Sequence, residues 1–250
     1  MHKKSKKVNF EIINFEKIDS TNDRAAEMVE NEENFCNKVI FSKYQTKGRG
    51  AGSNNWQSEK NKNLLFSIII CPEIEVQKQF YISKVTSLAI IDYLSQNGIE
   101  AKIKWPNDTL VNQKKIAGIL IENSIMGQSI HSSIIGVGFN INQKSFSDEL
   151  NATSLAIEKG TKFDLIKELN SFLTVFEKRF NLRKNKNLDL LDKQYLKNLY
   201  GTDKYLKYRD KESEFKAIVE GIDNFGRLKL KDTTGKERLY MFKEAEMINY

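Results

Sequence analysis

Histidine, cysteine, proline and tryptophan each occur only twice in the 250 residues, and each shortage narrows what the chain can do. His2 and His131 are the only imidazoles, and His2 sits in a lysine-rich tail, so acid–base chemistry through histidine is not expected. Cys36 and Cys71 fall in no metal-ligand spacing, and two thiols in a chain of this length suit a reducing cytosol rather than a disulfide framework. The sequence has no P-loop, no HExxH helix, no serine nucleophile elbow, no zinc-finger spacing and no aromatic RNA-binding signature. It also lacks an apolar leader, because the lysines of residues 3–7 run into Val8-Asn9-Phe10-Glu11. Its longest apolar block, 64–71, falls far short of the roughly 20 residues a membrane helix needs. A cytoplasmic protein with no membrane partner is the expectation.

Positive charge is in surplus, 40 Lys and Arg against 33 acids for a net +7, which favours phosphates, nucleic acid or acidic partners. The excess is diffuse. Only His2-Lys3-Lys4-Ser5-Lys6-Lys7 is dense, and it reads as a solubilising tail, so no DNA partner is expected.

Glycine is concentrated where it matters. In Gln45-Thr46-Lys47-Gly48-Arg49-Gly50-Ala51-Gly52-Ser53-Asn54-Asn55-Trp56, three alternating glycines let the backbone approach a ligand, with cations between them. Alone this is an anion cradle or a flexible surface loop. It follows the β-branched, aromatic run 38–42, and loops leaving strand ends are where α/β folds place ligands.

Upstream, 11–18 reads as a strand, and Ser20-Thr21-Asn22-Asp23 has the Ser-x-x-Asp form of a helix cap whose open N–H groups also suit a polar ligand head. Downstream come a buried strand at 64–71, a helix over 77–97 capped at Asn97-Gly98, and an alternating strand 99–105 ended by Pro106-Asn107-Asp108. A hairpin is predicted from 109–111 through a turn at 112–115 into 116–122, where Gly118 marks a close approach or a bulge. Another strand covers 130–137, leading into Gly136-Val137-Gly138-Phe139-Asn140. Helices are expected at 153–159, 164–183 and 188–199, the second packing Leu165, Ile166, Leu169, Phe172, Leu173, Phe176 and Phe180 on one side. From about Gly201 the pattern changes to short strands, 204–208, 214–222, 227–231 and 236–242, which suggest a small barrel.

Taken together, Gly48-Arg49-Gly50 with Trp56 downstream, Lys104-Trp105-Pro106-Asn107-Asp108 and Lys115-Ile-Ala-Gly-Ile-Leu-Ile-Glu122 resemble the biotin–protein ligases, and the likeness spans nearly the whole chain. The resemblance implies an α+β fold: a mixed-sheet catalytic domain flanked by helices over 1–199, of the class II synthetase-like type, and an SH3-like barrel over 200–250. It implies an ATP- and Mg²⁺-dependent enzyme that makes biotinyl-5′-AMP and passes biotin to a lysine of a biotin carboxyl carrier domain. The family's roles fall on Ser20, Thr21, Asn22 and Gln45 for the ureido ring, and on Gly48, Arg49, Gly50 and Ala51 for the ligand-holding loop. Trp56 would cover the adenylate, Lys115 would stand by the carboxylate and α-phosphate, and Asp108 would organise the metal or the incoming lysine. Asn107 and Asn140 would serve the nucleotide, and Gly118 and Gly136 would admit the ligand; no metal ligands are assigned.

The chain departs from the family in two places. Several members carry a further arginine where Ala51 stands, so weaker retention of biotinyl-AMP is expected unless Lys47 compensates. Ser20 also lies too near Met1 for the winged helix of the repressor-type members, so a monofunctional enzyme is expected. The family includes monomers and homodimers. The competing readings are a lipoate or octanoate ligase or transferase of the same fold, whose arginine- and glycine-rich signature with His-Asp is absent, and a non-catalytic biotin-binding regulator.

Overall fold

The computed structural model describes residues 10–147, 149–181, 188–223 and 225–248; the basic run of residues 2–7 and the end of the helix expected at 164–183 lie outside them. The chain runs β1 (Glu11–Phe15), α1 (Thr21–Asn31), β2 (Lys38–Ser42), β3 (Leu64–Ile70), β4 (Ile74–Glu75), a 3₁₀ turn (Val76–Lys78), α2 (Phe80–Gln96), β5 (Lys102–Lys104), β6 (Asp108–Val111), β7 (Lys114–Met126) and β8 (Ser129–Phe139). It continues through α3 (Leu155–Lys159), α4 (Leu165–Asn181), α5 (Leu188–Asn198), β9 (Leu206–Arg209), β10 (Glu214–Ile222), β11 (Leu228–Asp232), β12 (Glu237–Tyr240) and β13 (Glu246–Ile248).

The first sheet is eight-stranded and ordered β1-β2-β3-β8-β7-β6-β5, with β4 on β8. It is mixed, since β1 and β2 are parallel while β2–β3, β3–β8 and β8–β7 are antiparallel. Every residue of β3 is buried, which its unbroken apolar sequence requires of a strand covered on both faces. Strand alternation then sorts the core. Val39, Phe41, Phe66 and Ile68 join α2 and α4 on one face, and Ile40 and Ile69 join Ala25 and Met28 of α1 on the other. On α4, Leu169, Phe172, Leu173, Phe176 and Phe180 are buried as predicted, but Ile166 is exposed because it lies off that stripe.

The C-terminal strands form a second sheet in the order β12-β11-β10-β9-β13. It is an open path, not the closed barrel expected. The predicted strand 236–242 ends at Tyr240, the chain turns through Lys243 in a left-handed conformation, and the unanticipated β13 pairs with the far edge, β9. Trp105 fastens the two sheets: its indole Nε1 donates to Gly226 O at 2.9 Å.

The hairpin turn is also tighter than predicted. Asn112 and Gln113 both have positive φ, the signature of a two-residue turn, so Lys115 lies inside β7 opposite Leu110 rather than in the turn. Finally, Cys36 and Cys71 form a disulfide, contrary to the expectation from composition. Antiparallel pairing of Lys38 with Ile69 brings the two flanking cysteines opposite each other, with Cα atoms 5.7 Å apart, well within the reach of the bond.

Candidate active site

A cavity of about 580 Å³ opens where the glycine loop, the start of α1, the β6–β8 face and the edge of the small sheet converge. The loop is a folded hairpin rather than a free flap. Gly50 N donates to Asn54 O at 2.7 Å and Trp56 N to Gly48 O at 2.8 Å, with a bridge between Arg49 and Asn55. Glycine is needed at 48 for this crossing, since a Cβ there would lie 2.6 Å from Trp56 O.

At the start of α1, Ser20 is the N-cap and its hydroxyl accepts from Asp23 N. Gln45 Oε1 accepts from Thr21 N at 2.6 Å, so the loop also caps this helix. Beneath lies a buried polar chain. Ser67 Oγ is 2.6 Å from Asn22 Oδ1 and 2.8 Å from Thr21 Oγ1. A hydroxyl has one proton and an amide oxygen only accepts, so Ser67 donates to Asn22 and receives the Thr21 proton. Asn22 Nδ2 in turn donates to Glu122 Oε2 at 2.6 Å. The other Glu122 oxygen holds Arg49, whose second NH group is held by Asp23. Partial burial lowers the Arg49 pKa, and these two carboxylates more than reverse it.

On the sheet, Gly118 of β7 pairs with Gly138 of β8. The Trp56 indole occupies the space these glycines leave: a Cβ at Gly138 would lie 2.5 Å from Trp56 Cδ2, and one at Gly118 would lie 2.9 Å from Cζ3. Lys115 Nζ stands 5.3 Å from the centre of that ring and 2.7 Å from Asp108 Oδ1. Lys104 joins them in the wall. Burial pushes its ammonium down to about 8; Asp108 opposes that shift and Lys115 adds to it.

The cavity therefore gathers Ser20, Thr21, Asn22, Gln45, Arg49, Gly50, Ala51, Trp56, Asn107, Asp108, Lys115, Gly118 and Gly136 in its lining. Gly48 and Asn140 stand behind it. Asn140 is buried, and its amide Nδ2 donates to Lys115 O at 3.4 Å, so it supports the strand that carries Lys115. The space at Gly136 belongs to Asn22, whose Oδ1 a Cβ would overlap. Lys47 lies outside the lining, 2.9 Å from Asp19. Sequence reading gave no site role to Ser67, took Asp23 only as part of the helix cap, and counted Glu122 and Lys104 only as members of their motifs. For Glu122 a signal existed, since period-two alternation puts it on the same face of β7 as Gly118 and Leu120. Ser67 was visible only as the one polar residue of an apolar strand.

Which anion could such a wall of cations activate? Mg²⁺ would find Asp108 in the cavity wall, but among the described residues no group of three His, Cys, Asp or Glu side chains is placed to hold an ion. A metal here would take most of its ligands from phosphate oxygens and water.

Residues 14–140 match the Biotin/lipoate A/B protein ligase family. The chain is 33% identical over 228 residues to the bifunctional ligase/repressor BirA of Bacillus spizizenii, an alignment covering 89% of this chain and 70% of that protein. It is 30% identical over 122 residues to a biotin–[acetyl-CoA-carboxylase] ligase of Mycobacterium tuberculosis, covering 47% of this chain and 44% of that one. Among solved structures, the biotin protein ligase of Aquifex aeolicus in complex with biotin and ATP has a TM-score of 0.78 at 22% identity, covering 96% of this chain and 99% of that chain, a likeness of fold.

Proposed function

The chain belongs to the biotin/lipoate A/B protein ligase family, and from that premise we propose that it is an ATP-dependent biotin–protein ligase. The observation that carries this reading is the convergence of Arg49, Lys115 and Trp56 with the polar start of α1 on one cavity. The cavity lining offers the donors and acceptors of Ser20, Thr21, Asn22 and Gln45 to a ureido ring and the cations Arg49, Lys104 and Lys115 to a carboxylate and a phosphate.

In the first step a biotin carboxylate oxygen attacks the α-phosphorus of ATP, the bond to the β-phosphate oxygen breaks, and pyrophosphate leaves. Two anions must meet, so fixed cations supply the main help. Lys115 and Arg49, which line the cavity together with Lys104, would supply that charge, and Mg²⁺ bound to the phosphates would supply further neutralisation. Trp56 shields the mixed anhydride from water. In the second step the neutral ε-amine of a carrier lysine attacks the acyl carbon, the bond from that carbon to the phosphate oxygen breaks, AMP departs, and the amine's proton passes to solvent. Asp108, 2.7 Å from Lys115 Nζ in the cavity wall, is the carboxylate that receives that amine. On this reading residues 1–199 are the catalytic unit and residues 200–250 a small SH3-like unit; the second sheet's region contributes Tyr208, Arg209 and residues 242–247 to the cavity lining. The partner is a biotin carboxyl carrier domain.

The test is incubation of the protein with biotin, lipoate or octanoate in turn, with Mg-ATP and an apo carrier domain. Biotin-dependent pyrophosphate release and carrier labelling are expected. Labelling with lipoate or octanoate instead would transfer the site to that chemistry, and biotin binding without turnover would make the protein a regulator.

A further inference from the structure

The turn between β12 and β13 carries a residue that the chemistry above leaves unused. Lys243 has φ +69, a left-handed conformation that disfavours any residue with a β-carbon. That backbone sends its side chain onto the glycine loop. Gly52 is also left-handed, with φ +69, and a Cβ there would overlap Lys243 Nζ and Cε. The bare glycine and the strained lysine thus form one contact, which ties the small sheet to the loop beside Ala51.

The charge is what makes this contact more than packing. Lys243 lines the same cavity as Arg49, Trp56 and Lys115. The loop's own cations are already neutralised, Lys47 by Asp19 and Arg49 by Asp23 and Glu122, and Lys115 faces Asp108. Among the described residues Lys243 enters no ion pair. The neighbouring acid, Glu244, turns its Oε2 to Met241 N at 2.7 Å, and the Phe242 ring centre lies 5.9 Å from the Lys243 ammonium. An unpaired ammonium in the cavity lining, on a stem that rests against Gly52 of the folded glycine hairpin, is suited to an anion that the loop covers.

We propose that Lys243 is a phosphate-binding residue supplied by the small sheet: it latches the glycine loop through Gly52 and binds the phosphate of the adenylate beneath it. The assignment rests on the ligase reading for the identity of that anion. It makes retention of the intermediate depend on the C-terminal sheet, with the cation that neither Ala51 nor Lys47 provides coming from across the cavity.

Lys243→Met keeps the stem and the backbone strain and removes only the charge. The protein, loaded with biotin and Mg-ATP and freed of excess nucleotide, is followed for loss of bound biotinyl-AMP, and biotin affinity without ATP is measured by calorimetry. Loss of one charge-assisted hydrogen bond should speed adenylate release about 10- to 100-fold, with biotin affinity unchanged. Lys243→Arg should retain slow release, and Ala51→Arg added to Lys243→Met should restore it by returning a cation to the loop. Wild-type release rates in Lys243→Met would overturn the proposal, as would an equal loss of biotin affinity without ATP, which marks a merely structural role. Absence of any adenylate in the wild type would instead defeat the ligase reading, and this proposal with it.

Discussion

Gly136→Ala places a methyl group where the structure has already put an amide. The new Cβ would overlap Asn22 Oδ1 and stand 2.9 Å from Asn22 Cγ. Asn22 cannot step aside without loss, because its Oδ1 accepts from Ser67 and its Nδ2 donates to Glu122, each at 2.6 Å, and the side chain is buried. Displacing it forfeits two hydrogen bonds, one of them to a carboxylate, worth about 1–2 kcal/mol apiece, and leaves Ser67 with Thr21 as its remaining partner, for a total of about 2–4 kcal/mol. The control is Gly127→Ala. With φ +62 and nothing within 4 Å, it meets only the left-handed backbone penalty of about 1 kcal/mol. Urea unfolding of both variants gives the two values, and a biotin titration should show weaker binding only for Gly136→Ala. The Asn22→Ala/Gly136→Ala pair supplies the check on cause: with the amide gone the methyl has room, so the double variant should lose about 1–2 kcal/mol less than the sum of the singles. A Gly136→Ala protein within 1 kcal/mol of the wild type, or strictly additive losses, would refute the locked-amide argument.

Three further outcomes follow from the same geometry. Lys104 holds a proton with a pKa of about 8 against 10.5 unfolded, so the folded state binds fewer protons between those values; stability rises with pH through that window, and Lys104→Met should be more stable at pH 7 by about 3 kcal/mol, an advantage that fades by pH 10.5. Denaturant midpoints across pH 7–10.5 decide it, and a constant difference would disprove burial as the cause. Lys115→Ala should lower biotin-dependent pyrophosphate exchange about 100-fold or more while the fold persists, since a cation facing two reacting anions acts chiefly in the transition state; unchanged exchange would remove Lys115 from the mechanism. The Cys36–Cys71 bridge, spanning 35 residues, should add about 3–4 kcal/mol that reduction removes, and thiol titration of the denatured, unreduced protein should find no free thiol.

Much of this was legible in the sequence because it is local. The Ser20 cap, the strand at 38–42, the buried run at 64–70 and the glycine loop depend on neighbours a few residues away, and they stand where period and turn chemistry put them. What was not legible depends on pairing across the chain. The disulfide needs the β2–β3 register, which composition does not contain. The open second sheet needs β13, three residues too short to announce themselves, to choose β9 as its partner. Gly136 was readable as a place of close approach, but its occupant, Asn22, comes from a helix more than a hundred residues earlier.

Those long-range contacts alter how the glycine loop has to be understood. Around Arg49 the structure sets one guanidinium against two carboxylates, Asp23 and Glu122, so the loop's central cation stands in surroundings that are net negative. A carboxylate or phosphate arriving there is repelled unless other cations outweigh the pair, and a guanidinium already held on two sides offers less to a third acceptor. The compensating charge must come from outside the loop. On the proposed reading Lys104 and Lys115, the latter shared with Asp108, would supply it from the first sheet and Lys243 from the turn of the second, which would make the anion-binding capacity of the cavity a property of both sheets together. On the proposed ligase reading Arg49 would work by exchange: its carboxylate partners hold it in position, and an incoming anion would displace at least one of them. Asp23 is in the first turn of α1, where the helix N-terminus stabilises a carboxylate released from its partner, whereas Glu122 stays tied to Asn22. Release of Asp23 would therefore be the less costly exchange, and it would leave the Glu122–Asn22–Ser67 chain intact.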